Sequence, residues 1–218
     1  YSLADAFRIV SGLRYSEDTF TTDVTNFLNV ESFQEEGTTD EITSRVVAEV
    51  DFSEDIMGYF ALAKGFKPGG SNLTFGFDDD NAPPMVFPTF EAETVDSVEF
   101  GLKSVFADGA ARANIAVFSY TYENLQFQAT DPDIYRGGVA NIPESEMSGL
   151  EIEFTGFLSD SLSLDMNLAF LDSEVTSDYE VLDNVDAYPY FFGEEDIRYG
   201  LRENVKGNQL AKTPEITA

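Results

Sequence analysis

The sequence predicts an all-β fold, an antiparallel up-and-down transmembrane β-barrel segment with short turns at one rim and long loops at the other. Three observations carry this. Runs of about ten residues alternate apolar and polar side chains, the two-residue period of a strand. The connections between runs alternate strictly between turns of about three or four residues and loops of about 18 to 40. No run reaches the 18 or so apolar residues of a membrane helix, whereas strands that alternate escape hydropathy averages.

From the N-terminus, a first strand covers roughly Ala6 to Phe20, with Ile9, Leu13 and Tyr15 on one face and Arg8 and Arg14 on the other. The polar stretch Thr21 to Asp40 separates it from a second strand, Glu41 to Phe52. There Val46, Ala48, Val50 and Phe52 oppose Arg45, Val47, Glu49 and Asp51. Ser53-Glu54-Asp55 turns into a third strand, Ile56 to Lys64, whose pattern leaves its faces ambiguous. A Gly/Pro-rich loop, Gly65 to about Phe90, follows.

Two alternating runs joined by Ala107-Asp108-Gly109 then form a hairpin from Glu93 to Gln128. Val98, Phe100, Leu102, Ser104 and Phe106 share one face, and Glu99, Gly101, Lys103 and Val105 the other. Beyond the loop Ala129 to Glu146, a sixth strand sets Leu150, Ile152 and Phe154 against Glu151, Glu153 and Thr155. A turn at Leu158 to Ser161 leads to the seventh, where Leu162, Leu164, Met166, Leu168 and Phe170 oppose Ser163, Asp165 and Asn167. The longest loop spans Asp172 to Ala211, and Lys212 to Ala218 begins an eighth strand.

Alternation alone fits a soluble sandwich as well, with the apolar face as core and the charged face in water. The connections favour the membrane barrel. Loops longer than about 15 residues are uncommon in compact domains, and four on one side match the rim asymmetry of bacterial outer-membrane barrels. In that arrangement Glu49, Asp51, Glu99, Lys103, Glu151, Glu153 and Asp165 face the lumen.

Composition narrows the chemistry. The chain has 41 Asp and Glu against 12 Lys and Arg, a formal net charge of −29, and neither His nor Cys. Nucleic acid is excluded as a partner, because phosphate binding needs clustered basic side chains. Disorder is excluded by 43% hydrophobic residues, 20 Phe and 10 Tyr, arranged in periodic runs. Without His or Cys, this chain cannot hold a Ser-His-Asp triad, a Cys-His pair or a His-ligated metal. No catalytic residue, metal ligand or cofactor is assigned.

Asp78-Asp79-Asp80-Asn81 lacks the alternating spacing, central Gly and terminal Glu of an EF-hand and reads as a solvated loop tip. Glu151 and Glu153 could serve as a glycosidase carboxylate pair, but a wet wall explains them better. In the last loop Tyr188, Tyr190, Phe191, Phe192 and Tyr199 are candidate ligand contacts, being aromatics with polar tips; they could equally pack the loop onto its neighbours. Phe118, Tyr120 and Tyr122 suit an interfacial aromatic girdle, or else an ordinary β core. Lys64 and Lys67 are expected to pair with nearby loop acids.

Five segments, in order, resemble the barrel of TonB-dependent outer-membrane receptors. They are Gly12-Leu13-Arg14-Tyr15, then Lys64-Gly65-Phe66-Lys67-Pro68-Gly69-Gly70, then Glu93-Thr94-Val95 with Glu99-Phe100-Gly101-Leu102-Lys103-Ser104, then Ser148-Gly149-Leu150-Glu151, and finally Gly207-Asn208-Gln209-Leu210 with Pro214. The second is the most specific. Ala92 stands where the family has Pro, and Ser148 where it has a basic residue.

The resemblance implies that residues 1–218 are a partial β-barrel domain, seven or eight strands of a barrel of about 22. The plug domain and closing strands are expected outside this segment. It further implies location in the outer membrane of a bacterium and contact with outer-membrane lipid. Energy would come from the TonB complex through the plug. The ligand would be a small molecule or metal chelate: a ferric siderophore, vitamin B12 or a glycan. No enzymatic activity is implied. The alternatives are a soluble extracellular carbohydrate-binding β-sandwich and an acidic β-fold glycoside hydrolase.

Overall fold

In the computed structural model, which describes residues 2–4, 6–26, 31–72, 89–130, 137–159, 161–182 and 202–218, every regular element is a strand. In chain order these are β1 (Ser2–Ala4), β2 (Phe7–Asn26), β3 (Glu31–Asp51), β4 (Ile56–Lys67), β5 (Gly70–Ser71), β6 (Thr89–Phe90) and β7 (Glu93–Phe106). They continue as β8 (Ala111–Thr130), β9 (Gly137–Ser159), β10 (Leu162–Val175), β11 (Glu180–Leu182), β12 (Arg202–Asn204) and β13 (Ile216–Thr217). One antiparallel sheet takes them in the order β1-β2-β3-β4-β7-β8-β9-β10-β13. The pairs β5-β6 and β11-β12 form separate small sheets. Each long strand lies beside its sequence neighbour, the up-and-down topology expected, and the sheet is open rather than closed on itself.

The register converts separate alternating patterns into one surface. Ile9 lies opposite Ala48, Ala48 opposite Phe60, and Phe60 opposite Phe100. Phe100 then faces Val117, Val117 faces Leu150, Leu150 faces Phe170, and Phe170 faces Ile216. This apolar row crosses eight strands without a break. It also settles β4, placing Phe60 and Leu62 on the apolar face and Tyr59 and Ala61 on the polar one. On β2, β3, β7 and β9 a one-residue slip can bring Arg8, Glu49, Glu99 or Glu151 into the row, so the pattern itself favours this register.

Phe100, Leu102, Val117, Leu164 and Phe170 are exposed on this face. A soluble sandwich would cover them with a second layer, and among the described residues none does. On β7 the apolar face runs from Phe106 to Val98, with Asp96 next. Nine residues at the usual rise and barrel tilt span about 23 Å, close to the apolar band of about 25 Å in outer-membrane barrels. Leu13, Ser44, Lys64, Asp96, Thr121, Glu146 and Glu174 form the cross-strand row just above it. There the face turns polar.

The strands run well past that boundary. β9 has 23 residues, β3 has 21, and β2 and β8 have 20 each. A 23-residue strand at barrel tilt rises roughly 58 Å, more than twice the apolar band of about 25 Å. The polar stretch Thr21 to Asp40, read from sequence as a loop, is therefore largely ladder: pairing continues to Asn26 opposite Glu31. Likewise, pairing between β8 and β9 reaches Thr130 opposite Gly137, inside the segment read as a loop from Ala129. Threonine-rich polar strand is stable there because its backbone groups bond across the hairpin.

The tight turns close as expected. Between β7 and β8, Ala107, Asp108 and Gly109 all take positive φ, at 54°, 53° and 87°. Only the glycine does so without crowding a Cβ. Between β3 and β4, the Phe52 amide donates to the Ile56 carbonyl at 2.9 Å.

The buried apolar residues sit mostly away from the exposed apolar row. Ala140, Ile142, Val175 and Leu182 are each no more than 5% exposed. They lie where the extended β8–β9 hairpin meets β11–β12, and the Phe127 ring meets Tyr179 edge-on at 5.7 Å. This small core belongs to the long-loop end of the molecule.

Candidate functional site

Opposite the apolar face, the register gathers the charged side chains. Arg8, Glu49, Tyr59, Gly101, Ala116, Glu151 and Ala169 form one cross-strand row. Asp51, Met57, Lys103, Asn114, Glu153 and Asn167 form the next toward the turns. Glu99 lies opposite Ala61 and Phe118, and Asp165 opposite Thr155. Glu49, Asp51, Glu99, Lys103, Glu151, Glu153 and Asp165 thus share one surface.

The side chains on it are tied to each other. Arg8 donates from Nε to Glu49 Oε2 at 3.0 Å and from Nη1 to Asp51 Oδ2 at 2.6 Å. This clamps the outermost long strand to its neighbour through a branched, charge-assisted contact. Tyr59 donates its hydroxyl to Glu99, and Lys103 Nζ stands 5.4 Å from the centre of the Tyr59 ring. Asn114 donates to Glu153 Oε2 at 2.9 Å. A recess at the turn end is lined in part by Asp51, Glu54, Asp55, Lys103, Arg112 and Asn114. Such a surface is wet, acidic and hydrogen-bonded. Among the described residues, no group of three or more Asp or Glu is arranged to hold a metal ion.

Phe118, Tyr120 and Tyr122 depart from the expected girdle. Ile115 and Val117 take the apolar face of β8, so the even-numbered aromatics fall on the polar one. Phe118 is buried there, 6% exposed, and stacks on Tyr120 at 4.8 Å. The aromatics exposed at the turn end of the apolar face are Phe52 and Phe106. Lys64 meets Glu41 at 3.4 Å, but as a pair between strands β4 and β3 rather than between loops. Tyr188, Tyr190, Phe191, Phe192 and Tyr199, and Asp78 to Asn81, lie outside the described residues.

Sequence reasoning passed over the polar residues that organise the long-loop end. Asn72, Gln126 and Asn141 spend their amides on backbone groups of other segments. The Ser173 hydroxyl, 6% exposed, accepts from the Leu210 amide at 3.3 Å and pairs with the Thr213 hydroxyl at 2.7 Å. The one local signal was Pro68-Gly69-Gly70, which marks where the chain leaves β4.

Residues 1–218 match the family model described as TonB dependent receptor-like, beta-barrel. The chain belongs to this family. It is 28% identical over 190 residues to the pesticin receptor of Yersinia enterocolitica, covering 83% of this chain and 26% of that protein. It is 30% identical over 120 residues to the probable TonB-dependent siderophore receptor PiuA of Acinetobacter baumannii, covering 54% and 15%.

Among solved structures, PiuA from A. baumannii superposes with a TM-score of 0.69 at 19% identity, over 99% of this chain and 28% of that one. The ferric yersiniabactin uptake receptor FyuA from Yersinia pestis gives 0.65 at 24% identity, over 81% and 26%. These likenesses show the fold. The chain spans about a quarter of the length of the pesticin receptors it matches. TonB-dependent receptors are bacterial outer-membrane proteins and a receptor family rather than an enzyme family.

Proposed function

We propose that this segment supplies wall and extracellular loops to an outer-membrane receptor that imports a scarce nutrient, with a ferric siderophore as ligand. The observation that carries the reading is the sheet's division into an unbroken apolar row and an opposite acidic face. That is what a barrel needs to meet hydrocarbon outside and water or a plug inside. Glu49, Asp51, Glu99, Lys103, Glu151, Glu153 and Asp165 then line the lumen. The ligand class follows from the relatives, which are named as siderophore and pesticin receptors.

The plug, the closing strands and the contact with the TonB complex belong, on this reading, to the remainder of a longer protein. Tyr188, Tyr190, Phe191, Phe192 and Tyr199 contribute ligand contacts from the longest loop. The polar face binds and excludes but breaks no bonds, so no catalytic role is assigned to Glu151 or Glu153.

The test is uptake of radiolabelled iron by cells whose only outer-membrane iron receptor is the full-length protein, offered catecholate, hydroxamate and phenolate chelates in turn. At least one chelate should support uptake that disappears when TonB is deleted. Replacing the five loop aromatics by alanine should weaken binding of that chelate about tenfold or more while leaving receptor abundance unchanged. Import of no chelate, with uptake of cobalamin or a glycan instead, would overturn the ligand assignment.

A further inference from the structure

Among the described residues, the long-loop end contains two hairpins that stand above the rest of the sheet, β2–β3 and β8–β9. In the sheet order they are separated by β4 and β7, which stop pairing at Lys67 opposite Glu93. Four strand spacings lie between β3 and β9, roughly 19 Å. Yet two consecutive residues reach both. Ser71 donates its hydroxyl to Glu35 Oε2 of β3 at 3.2 Å. Asn72, the next residue, bonds the backbone of Val139 in β9, donating to its carbonyl and accepting from its amide, each at 2.8 Å.

The return side of the same connection is held by mirrored chemistry. Asn141 of β9 accepts from the Glu91 amide at 2.8 Å and donates to the Glu91 carbonyl at 3.0 Å. Gln126 of β8 donates to the carbonyls of Pro68 at 2.9 Å and Glu91 at 3.1 Å. Its own amide donates to Glu93 Oε2 at 2.8 Å. A side-chain amide carries a donor and an acceptor at the spacing of a peptide group, so Asn72 and Asn141 each act as a one-residue strand.

We propose that Ser71, Asn72 and Asn141 form a cross-brace, Ser71 gripping β3 while Asn72 and Asn141 grip β9, that makes the two tall hairpins move as one unit, so that a force on either is transmitted to the other. Three features favour a brace over a binding subsite. These amides are committed to backbone partners, leaving little of their hydrogen-bonding capacity for a ligand. Their bonds come in donor–acceptor pairs, which fix orientation as well as distance. And the brace bridges the one place in the described sheet where two tall hairpins lack a tall strand between them.

The test is pulsed electron–electron distance measurement on the full-length receptor in detergent or bilayer. Spin labels are placed at Thr21→Cys in β2 and Gln128→Cys in β8, both exposed; this chain holds no cysteine of its own. A second pair, Leu62→Cys and Met166→Cys, reports on the wall. The hairpin pair should give one narrow distance, and Asn72→Ala or Asn141→Ala should widen that distribution about twofold while leaving the wall pair unchanged. An unaltered hairpin distribution in both variants would overturn the proposal. So would equal widening of the wall pair, which would make these residues supports of the whole sheet rather than a brace.

Discussion

Tyr59 lies across Gly101 on the polar face, filling the space where any other residue would carry its Cβ, and from there its hydroxyl reaches Glu99. The two face each other across the β4–β7 ladder, so the ring fills a notch left by its own cross-strand partner. Glycine weakens a strand by itself, and an aromatic laid over it restores packing.

Gly101→Ala should therefore destabilise the wall by about 1–3 kcal/mol, because the new methyl meets a ring that is held at its far end. Urea unfolding of the full-length receptor, read by its heat-modifiable gel mobility, measures this. Tyr59→Leu in the same background should recover part of the loss, since the smaller side chain vacates the notch. Strict additivity of the two changes would show that the ring and the glycine are not coupled.

The two faces of β8 make opposite forecasts for one chemical change. Val117→Lys puts a charge in the apolar row beside Phe100 and Leu150, where it should cost about 2–4 kcal/mol. Asn114→Lys puts the same charge on the polar face between Glu153 and Lys103, where attraction to one and repulsion from the other should leave it nearly neutral. Folded receptor recovered from outer membranes is the readout. Equal recovery of the two variants would contradict the lipid-facing assignment.

The seven long strands and their order were legible in the sequence, as were the faces of β2, β3, β7, β9 and β10, because the two-residue period writes burial directly into residue type. Val98 to Phe106 states its own faces. What the sequence hid was pairing without burial. Thr21 to Asn26 opposite Glu31 to Glu36 is mostly polar in sequence, and a polar ladder has the composition of a loop. The aromatic trio on β8 misled for a related reason: Phe118, Tyr120 and Tyr122 are as apolar as a girdle, and only the parity fixed by Ile115 and Val117 places them on the other face. Of the candidate site, the seven charged positions were readable as one face. Asn72, Asn141 and Ser173 were not, since each acts on a segment at least 37 residues away.

Ser173 anchors the returning chain. Its buried hydroxyl takes the Leu210 amide, and Thr213, its other partner, donates to the Leu210 carbonyl at 2.6 Å. Ser173→Ala strips both contacts and leaves the Leu210 amide without its acceptor, a loss of about 1–3 kcal/mol confined to this segment. Hydrogen exchange should show faster exchange at Leu210 and in β13, with β7 and β8 unchanged. Uniform acceleration across the sheet would mean that Ser173 supports the wall as a whole.

Asp178 makes the β11–β12 ribbon pH-sensitive at its base. Asn204 Nδ2 donates to its Oδ1 at 3.0 Å, and Lys206 Nζ lies 3.2 Å from its Oδ2. The hydrogen bond from Asn204, then that from Lys206 and its positive charge, hold this carboxyl below the ordinary carboxylate range. A depressed pKa means that the folded ribbon favours the ionised form. The stabilisation is therefore complete above the unfolded value, near 3.9, and is lost as pH falls through the lower folded one. Amide exchange in Glu180–Leu182, corrected for its intrinsic pH dependence, should thus be flat from pH 8 to about 5 and speed up only in stronger acid. Asp178→Asn keeps the shape but removes the charge, so its exchange should be faster at pH 7 and lack the acid-dependent step. If the variant retained that step, the titrating group would lie elsewhere than at Asp178.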